Sequence, residues 1–167
     1  KRQNLIRAVS AEISEVYIGF SLLVKEEKDY FHRGCLIKSG NIVHFQDQLH
    51  SCGRFSEALS LGSELKIFNA EFGKIALFVG GDTIYPELYR VAALNGAHMV
   101  VACTHVIEAW EDDIGFLERS AENRMCLAIA SCPTPVGASL MIDLWSDATI
   151  LTPWSNRKFD GNINLPR

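Results

Sequence analysis

Apolar and polar positions follow two different periods along this chain, and the switches between them mark its elements. Leu5, Ile6, Val9 and Ile13 keep helical spacing, so the first residues read as the later part of an amphipathic helix. Val16–Leu22 then reads as a strand. Gly34–Ile37 and Ile42–Phe45 are short β-prone runs joined by Lys38-Ser39-Gly40-Asn41, where Gly40 and Asn41 are expected to supply the positive φ of a tight hairpin. Leu65–Phe68 and Ile75–Val79 flank the polar break Asn69–Lys74, which contains Gly73, and read as a second hairpin.

The run Ile75–Val79 ends in Gly80-Gly81-Asp82, and Pro86 then opens a helix, Pro86–Asn95, with Leu88, Val91 and Ala92 on one face and Asn95-Gly96 as its stop. A strand, a glycine-rich turn and a helix pointing back at the strand end present free N–H groups and the positive end of a helix dipole. His98–Ala102 is a buried-type strand, which makes a right-handed crossover unit with the strand before it. Glu108–Asp113 reads as a polar loop containing Trp110, and Ile114, Leu117, Ala121 and Met125 mark the inner face of a helix Ile114–Met125. Met125–Ser131, Ala138–Leu144 and Thr149–Leu151 read as strands, the last two around the turn Trp145-Ser146-Asp147. Trp154–Arg167 is polar with little periodicity and is expected to be a tail or arm. Alternating strand and helix signals with apolar strands predict an α/β fold.

Composition narrows the function classes. The chain has 167 residues, 48% hydrophobic and 22% charged, with a formal net charge of -4. That suits one domain with a substantial core and gives no reason to expect nucleic acid or an anionic membrane as partner. No apolar run approaches a membrane span, and no basic-then-apolar leader is present. Cys35, Cys52, Cys103, Cys126 and Cys132 form an odd set without a CxxC pair, which favours free thiols in a reducing cytoplasm over disulfides or a zinc site. No phosphate-cradling loop of Walker or dinucleotide type is present, so no cofactor and no metal are expected.

The run Phe72-Gly73-Lys74-Ile75-Ala76-Leu77-Phe78-Val79-Gly80-Gly81-Asp82-Thr83-Ile84-Tyr85-Pro86-Glu87 resembles the signature of the nitrilase, or carbon–nitrogen hydrolase, superfamily. There the block reads as a Gly-Lys-Ile strand, Cys-x-Asp, two residues, an aromatic and Pro-Glu. Arg119-Ser120-Ala121-Glu122-Asn123 resembles the family's Arg-Ala-x-Glu-Asn, and the strand 125–131 matches the one that follows it, with Ser131 where the family has asparagine. The resemblance runs roughly from Val16 to Leu151. It implies an α-β-β-α sandwich that lacks its first strand–helix–strand portion, in which the family carries its general-base glutamate.

Two departures stand out. The family's nucleophilic cysteine falls on Gly80, and the lysine of its aromatic-Arg-Lys-x-His-Leu motif falls on Gln46 in His44-Phe45-Gln46-Asp47-Gln48-Leu49. Glu57, ahead of Leu61-Gly62, stands where the family has a supporting glutamate, with an exposed loop carboxylate as its ordinary alternative. Gly81, Asp82, Tyr85, Glu87, Cys103, Thr104 and Glu122 are the candidate pocket residues. Glu122 is expected to be a buried or half-buried structural carboxylate. His44 and His50 have no carboxylate or cysteine at ligand spacing, so a solvent-facing or hydrogen-bonded structural role is expected of both.

Family members break or form carbon–nitrogen bonds through a cysteine thioester, and glycine has no side chain to form one. The resemblance therefore implies a catalytically inactive domain that binds a small amide or carboxylate or serves as a structural homologue. Two alternatives stand beside it: an active amidase with Cys103 as displaced nucleophile, and an architectural subunit that pairs with an active relative. A homodimer is expected through the helices Pro86–Asn95 and Ile114–Met125, where Tyr89, Leu94 and Phe116 add apolar area beyond one core-facing stripe.

Overall fold

The computed structural model describes residues 2–52, 57–132 and 139–152. Helix α1 spans Arg2–Glu12, and strands β1 Ile18–Glu26, β2 Asp29–Lys38 and β3 Asn41–Asp47 follow. They form one antiparallel sheet in the order β1-β2-β3. The second sheet has six strands: β4 Ile67–Ala70, β5 Gly73–Val79, β6 Met99–Thr104, β7 Cys126–Ser131, β8 Ser139–Ile142 and β9 Ala148–Thr152. Its strands lie in sequence order, β5, β6 and β7 being parallel and the outer pairs antiparallel. Helices α2 Pro86–Leu94 and α3 Phe116–Asn123 are the crossovers between the parallel strands.

These elements stack as four layers, as the sequence predicts. Ala76, Phe78, Val100, Ala102, Leu127 and Ile129 face Leu88, Tyr89, Ala92 and Phe116 in the larger core. Leu36, Ile75 and Leu77 pack between the two sheets, which glycine lets approach closely. A Cβ built at Gly34 would stand 2.7 Å from Val79, and one at Gly19 would stand 3.1 Å from Val101. β2 therefore lies over the end of β5, and β1 lies over β6.

Several local expectations are corrected. In the β2–β3 turn the positive φ values belong to Ser39 (50°) and Gly40 (75°), while Asn41 already pairs with Lys38 in the ladder. The charged stretch 24–30 is a strand pair turning at Glu27, which its exposed polar positions hide from any periodicity. The apolar stripe of α1 points outward, with Leu5 67% and Val9 45% exposed. The helix instead seats its small-residue face on the hairpin turn: Gly40 donates to Ser10 Oγ, and a Cβ built at Gly40 would stand 3.3 Å from the Arg7 carbonyl oxygen and 3.4 Å from the Ala11 Cβ. The stretch read as a polar loop contains a π-helical turn, Glu111–Gly115, that runs into α3. α3 stops at Asn123, two residues short of the expected end, because Arg124 takes a left-handed φ of 51°. Tyr89 and Phe116, expected at an interface, are 0% and 2% exposed within this single chain, so their apolar area belongs to its own core. Among the strands, Leu65–Phe68 shifts to Ile67–Ala70 and the others agree within a few residues. The tail or arm expected at Trp154–Arg167 lies outside the described residues.

Candidate functional site

β5 delivers the chain to Gly80, whose φ of 55° is one that glycine adopts without strain. A short 3-10 turn, Gly80–Ile84, leads into α2. The Gly80 carbonyl accepts from the hydroxyls of Thr104 at 2.9 Å and Thr83 at 3.1 Å, which ties the turn to the end of β6. Tyr89, buried beneath, donates its hydroxyl to the Thr83 carbonyl at 3.2 Å. The junction is thus held from two neighbouring elements.

Asp82 is the clamp on the other side. Its carboxylate is 1% exposed and accepts the N–H of Leu49 at 3.0 Å, the N–H of His50 at 2.9 Å and His50 Nδ1 at 3.0 Å. Burial pushes this carboxyl above its ordinary value, and the donors from Leu49 and His50 oppose the shift. The His50 ring stacks on Tyr85 at 4.2 Å, and the Tyr85 hydroxyl donates to the Ser51 carbonyl. Asp82, Tyr85 and His50 therefore pin the segment after β3 onto the turn, which gives His50 the hydrogen-bonded role expected of it.

The space above the turn is filled. A Cβ built at Gly80 would lie 2.6 Å from Gln48 Oε1 and 2.8 Å from His32 Nδ1. A Cβ at Gly81 would lie 1.6 Å from Cys52 Sγ, so the thiol occupies the volume a side chain would need. Burial raises the Cys52 thiol above its ordinary value, helped by Asp82 and Glu111 and opposed by the Gly81 N–H. Gln48, not Gln46, meets Gly80. The Gln46 amide donates to the carbonyls of Asp47 and Glu64 and accepts the Lys66 N–H, all at 2.9 Å, so it serves the backbone of the 64–66 segment.

The remaining predicted residues scatter. Glu57 is exposed in a turn, and Glu87 is exposed in the first turn of α2. Cys103 is partly buried at the end of β6, and burial pushes its thiol up to about 11, the opposite of an activated nucleophile. Glu122 is exposed rather than buried; Arg119 Nε lies 3.1 Å from it, an ion pair not aligned as a hydrogen bond. Half-buried His44 lies against Phe68, its pKa lowered by burial and then by Lys66. Among the described residues no group of three His, Cys, Asp or Glu could hold a metal ion.

Ser21, His32, Gln48, Cys52 and Glu111 are the site residues that sequence reasoning missed. Only Gln48 lay in a quoted motif, two residues from the position assigned to the lysine. Glu111 is 4% exposed and its Oε1 accepts the N–H groups of Ile107 and Glu108, a helix-start carboxylate reaching back to the orphan donors. It also lines a cavity of about 170 Å³ between the 3-10 turn and α3, with Thr83, Ile84, Pro86, Trp110 and Ile114. None of the predicted pocket residues lines that cavity.

No family model matches the chain. It is 23% identical over 148 residues to a probable nitrilase of Schizosaccharomyces pombe, covering 87% of this chain and 54% of that protein. It is 29% identical over 124 residues to the probable hydrolase YhcX of Bacillus subtilis, covering 68% of this chain and 23% of that protein. Among solved structures it matches an amidase from Nesterenkonia sp. AN1 carrying the acetamide moiety of fluoroacetamide on its active-site cysteine. That match has a TM-score of 0.80 at 19% identity, over 91% of this chain and 62% of that one. A mutant of the same amidase in complex with butyramide matches at 0.79, with 19% identity, over 91% and 63% of the two chains. The chain thus spans about half of the first relative, about a quarter of the second and about three fifths of the amidase chains. The fold is that of the amidases, and in sequence the chain is similar to a probable nitrilase and a probable hydrolase.

Proposed function

We propose that the chain, residues 1–167 as one domain, lacks the thioester chemistry of the nitrilase superfamily and serves as a binding or structural homologue. The observation that carries this reading is the junction at Gly80. It offers no nucleophilic atom, and Gln48 and His32 stand 2.6 and 2.8 Å from where a side chain would begin. The thioester route needs that atom, and loss of an oxyanion donor alone costs about 10²–10³ in rate. Cys103, the alternative nucleophile, is disfavoured by burial and a thiol pushed up to about 11.

A small amide or carboxylate is the ligand class, by analogy with the butyramide complex of the amidase. A homodimer through α2 and α3 is supported by Val91, Leu94, Trp110 and Ile114, which are 42%, 79%, 51% and 56% exposed. Five free cysteines fit a reducing cytoplasm. Ammonia release from simple amides, nitriles and carbamoylated amino acids is expected to stay at the uncatalysed rate. Turnover abolished by Cys103→Ala or Cys52→Ala would overturn the reading.

A further inference from the structure

Beside the bare strand end, three side chains are connected as a nucleophile, a base and an orienter. Ser21 Oγ on β1 lies 3.1 Å from His32 Nε2 on β2. The other ring nitrogen, Nδ1, lies 2.9 Å from Gln48 Oε1. Gln48 Nε2 donates to the His50 carbonyl at 2.7 Å, and this fixes which way the amide points. An amide oxygen only accepts, so the neutral imidazole carries its hydrogen on Nδ1 and leaves Nε2 to accept from the serine hydroxyl. That is the tautomer a hydroxyl nucleophile requires, and an amide serves as third member in the Cys-His-Asn enzymes.

Burial follows the same order. Gln48 is 6% exposed, whereas Ser21 and His32 are partly accessible, so the orienter is sheltered and the reacting pair reaches solvent. Gly80 is what makes room: a Cβ there would collide with both atoms of the His32–Gln48 hydrogen bond.

We propose that Ser21, His32 and Gln48 form a serine-type acyl-transfer site whose substrates are small activated carboxylic esters. Ser21 Oγ attacks the ester carbonyl while His32 Nε2 takes its proton. The tetrahedral adduct expels the alcohol oxygen, which receives that proton from Nε2, and an acyl-serine remains. Water then attacks the acyl carbon with its proton passing to Nε2, the bond to Ser21 Oγ breaks, Oγ regains the proton and a carboxylic acid leaves. A neutral amide stabilises the imidazolium less than a carboxylate would, so the site suits esters of acidic phenols and not amides. The proposal is independent of the loss of thioester chemistry, which concerns residue 80 and carbon–nitrogen bonds.

The test is reaction with p-nitrophenyl acetate, followed by phenolate release and by peptide mapping of the acetylated protein. One acetyl group is expected on Ser21. Ser21→Ala should abolish it, and His32→Ala should slow it by about 10²-fold or more, the usual share of a general base. Added imidazole should restore part of the rate in His32→Ala and none in Ser21→Ala, a rescue that a purely structural histidine would not give. Acetylation of Cys52 or a lysine instead of Ser21 overturns the proposal. So does release by Ser21→Ala at the wild-type rate, or no acetylation of a protein whose circular dichroism shows it folded.

Discussion

Replacing Gly80 by alanine places one methyl group where the structure has least room for it. Position 80 has a φ of 55°, and a left-handed backbone costs an L-residue about 1–2 kcal/mol. The new Cβ would stand 2.6 Å from Gln48 Oε1 and 2.8 Å from His32 Nδ1, closer than real contacts allow. Their hydrogen bond must open, and a sheltered amide left without its partner costs about 1–3 kcal/mol. Alanine returns about 0.4–1 kcal/mol by restricting the unfolded chain. The sum centres near 3 kcal/mol, and at about 2–4 °C per kcal/mol for a chain of this size the melting temperature should fall by roughly 6–12 °C. Gly96→Ala is the control. It shares a positive φ, 80°, but the new methyl would meet only the flexible tip of Lys74 at 3.3 Å. Thermal melts followed by circular dichroism on both variants separate backbone strain from the collision with the relay. Gly80→Ala no less stable than Gly96→Ala would refute the reasoning. Gly80→Cys meets the same obstruction, so restoring the family's sulfur is not expected to restore catalysis.

Other consequences can be measured directly. Phe116→Asp buries a charge at a 2% exposed site and should leave no cooperative unfolding transition, whereas Leu94→Asp, at 79% exposed, should keep its stability within about 0.5 kcal/mol. Light scattering of Leu94→Asp then tests pairing through α2: a mass equal to that of a dimeric wild type would exclude Leu94 from the contact. Iodoacetamide at neutral pH should modify exposed Cys132 first and Cys103 last, since the latter's thiol is pushed up to about 11; rapid labelling of Cys103 would contradict its burial. Asp82 is raised above 3.8 by burial, so the folded state holds its proton more tightly than the unfolded state does. Its contribution to stability is fully present below 3.8 and is lost as pH rises through the folded value. Asp82→Asn should flatten that part of the pH profile of urea midpoints, and should lower stability overall because an amide cannot accept all the donors of Leu49 and His50. An unchanged slope would show that another group sets it.

The order of elements and the α/β class could be read from local pattern because strands and helices here keep their own periods, while the four-layer sandwich came from the family resemblance. Val79 followed by two glycines and Pro86 announces a strand, a tight turn and a helix start, and these depend on residues adjacent in sequence. The resemblance to the nitrilase superfamily was carried by the same contiguous runs. Local pattern failed where a side chain's neighbour is remote. Leu5, Ile6 and Val9 form a correct helical stripe, yet which face of α1 seats on the sheet depended on Gly40 admitting Ser10. Tyr89 and Phe116 are apolar surplus in sequence and core in space, since β5, β6 and β7 bring Phe78, Val100 and Leu127 beneath them.

The site was decided by register. Gln46 and Gln48 share one strand face, so period-2 alternation cannot say which reaches the strand end. In the antiparallel ladder Gln46 pairs with Gly34, and Gly34 lies over Val79. Gln48, bonded through its N–H to the His32 carbonyl, therefore falls one step further along, over Gly80. The sequence alone determined that residue 80 has no side chain. Only the packing of one sheet on the other, which sets neighbours across tens of residues, decided that His32 and Gln48 fill the space it leaves and that Ser21 stands at the end of their chain.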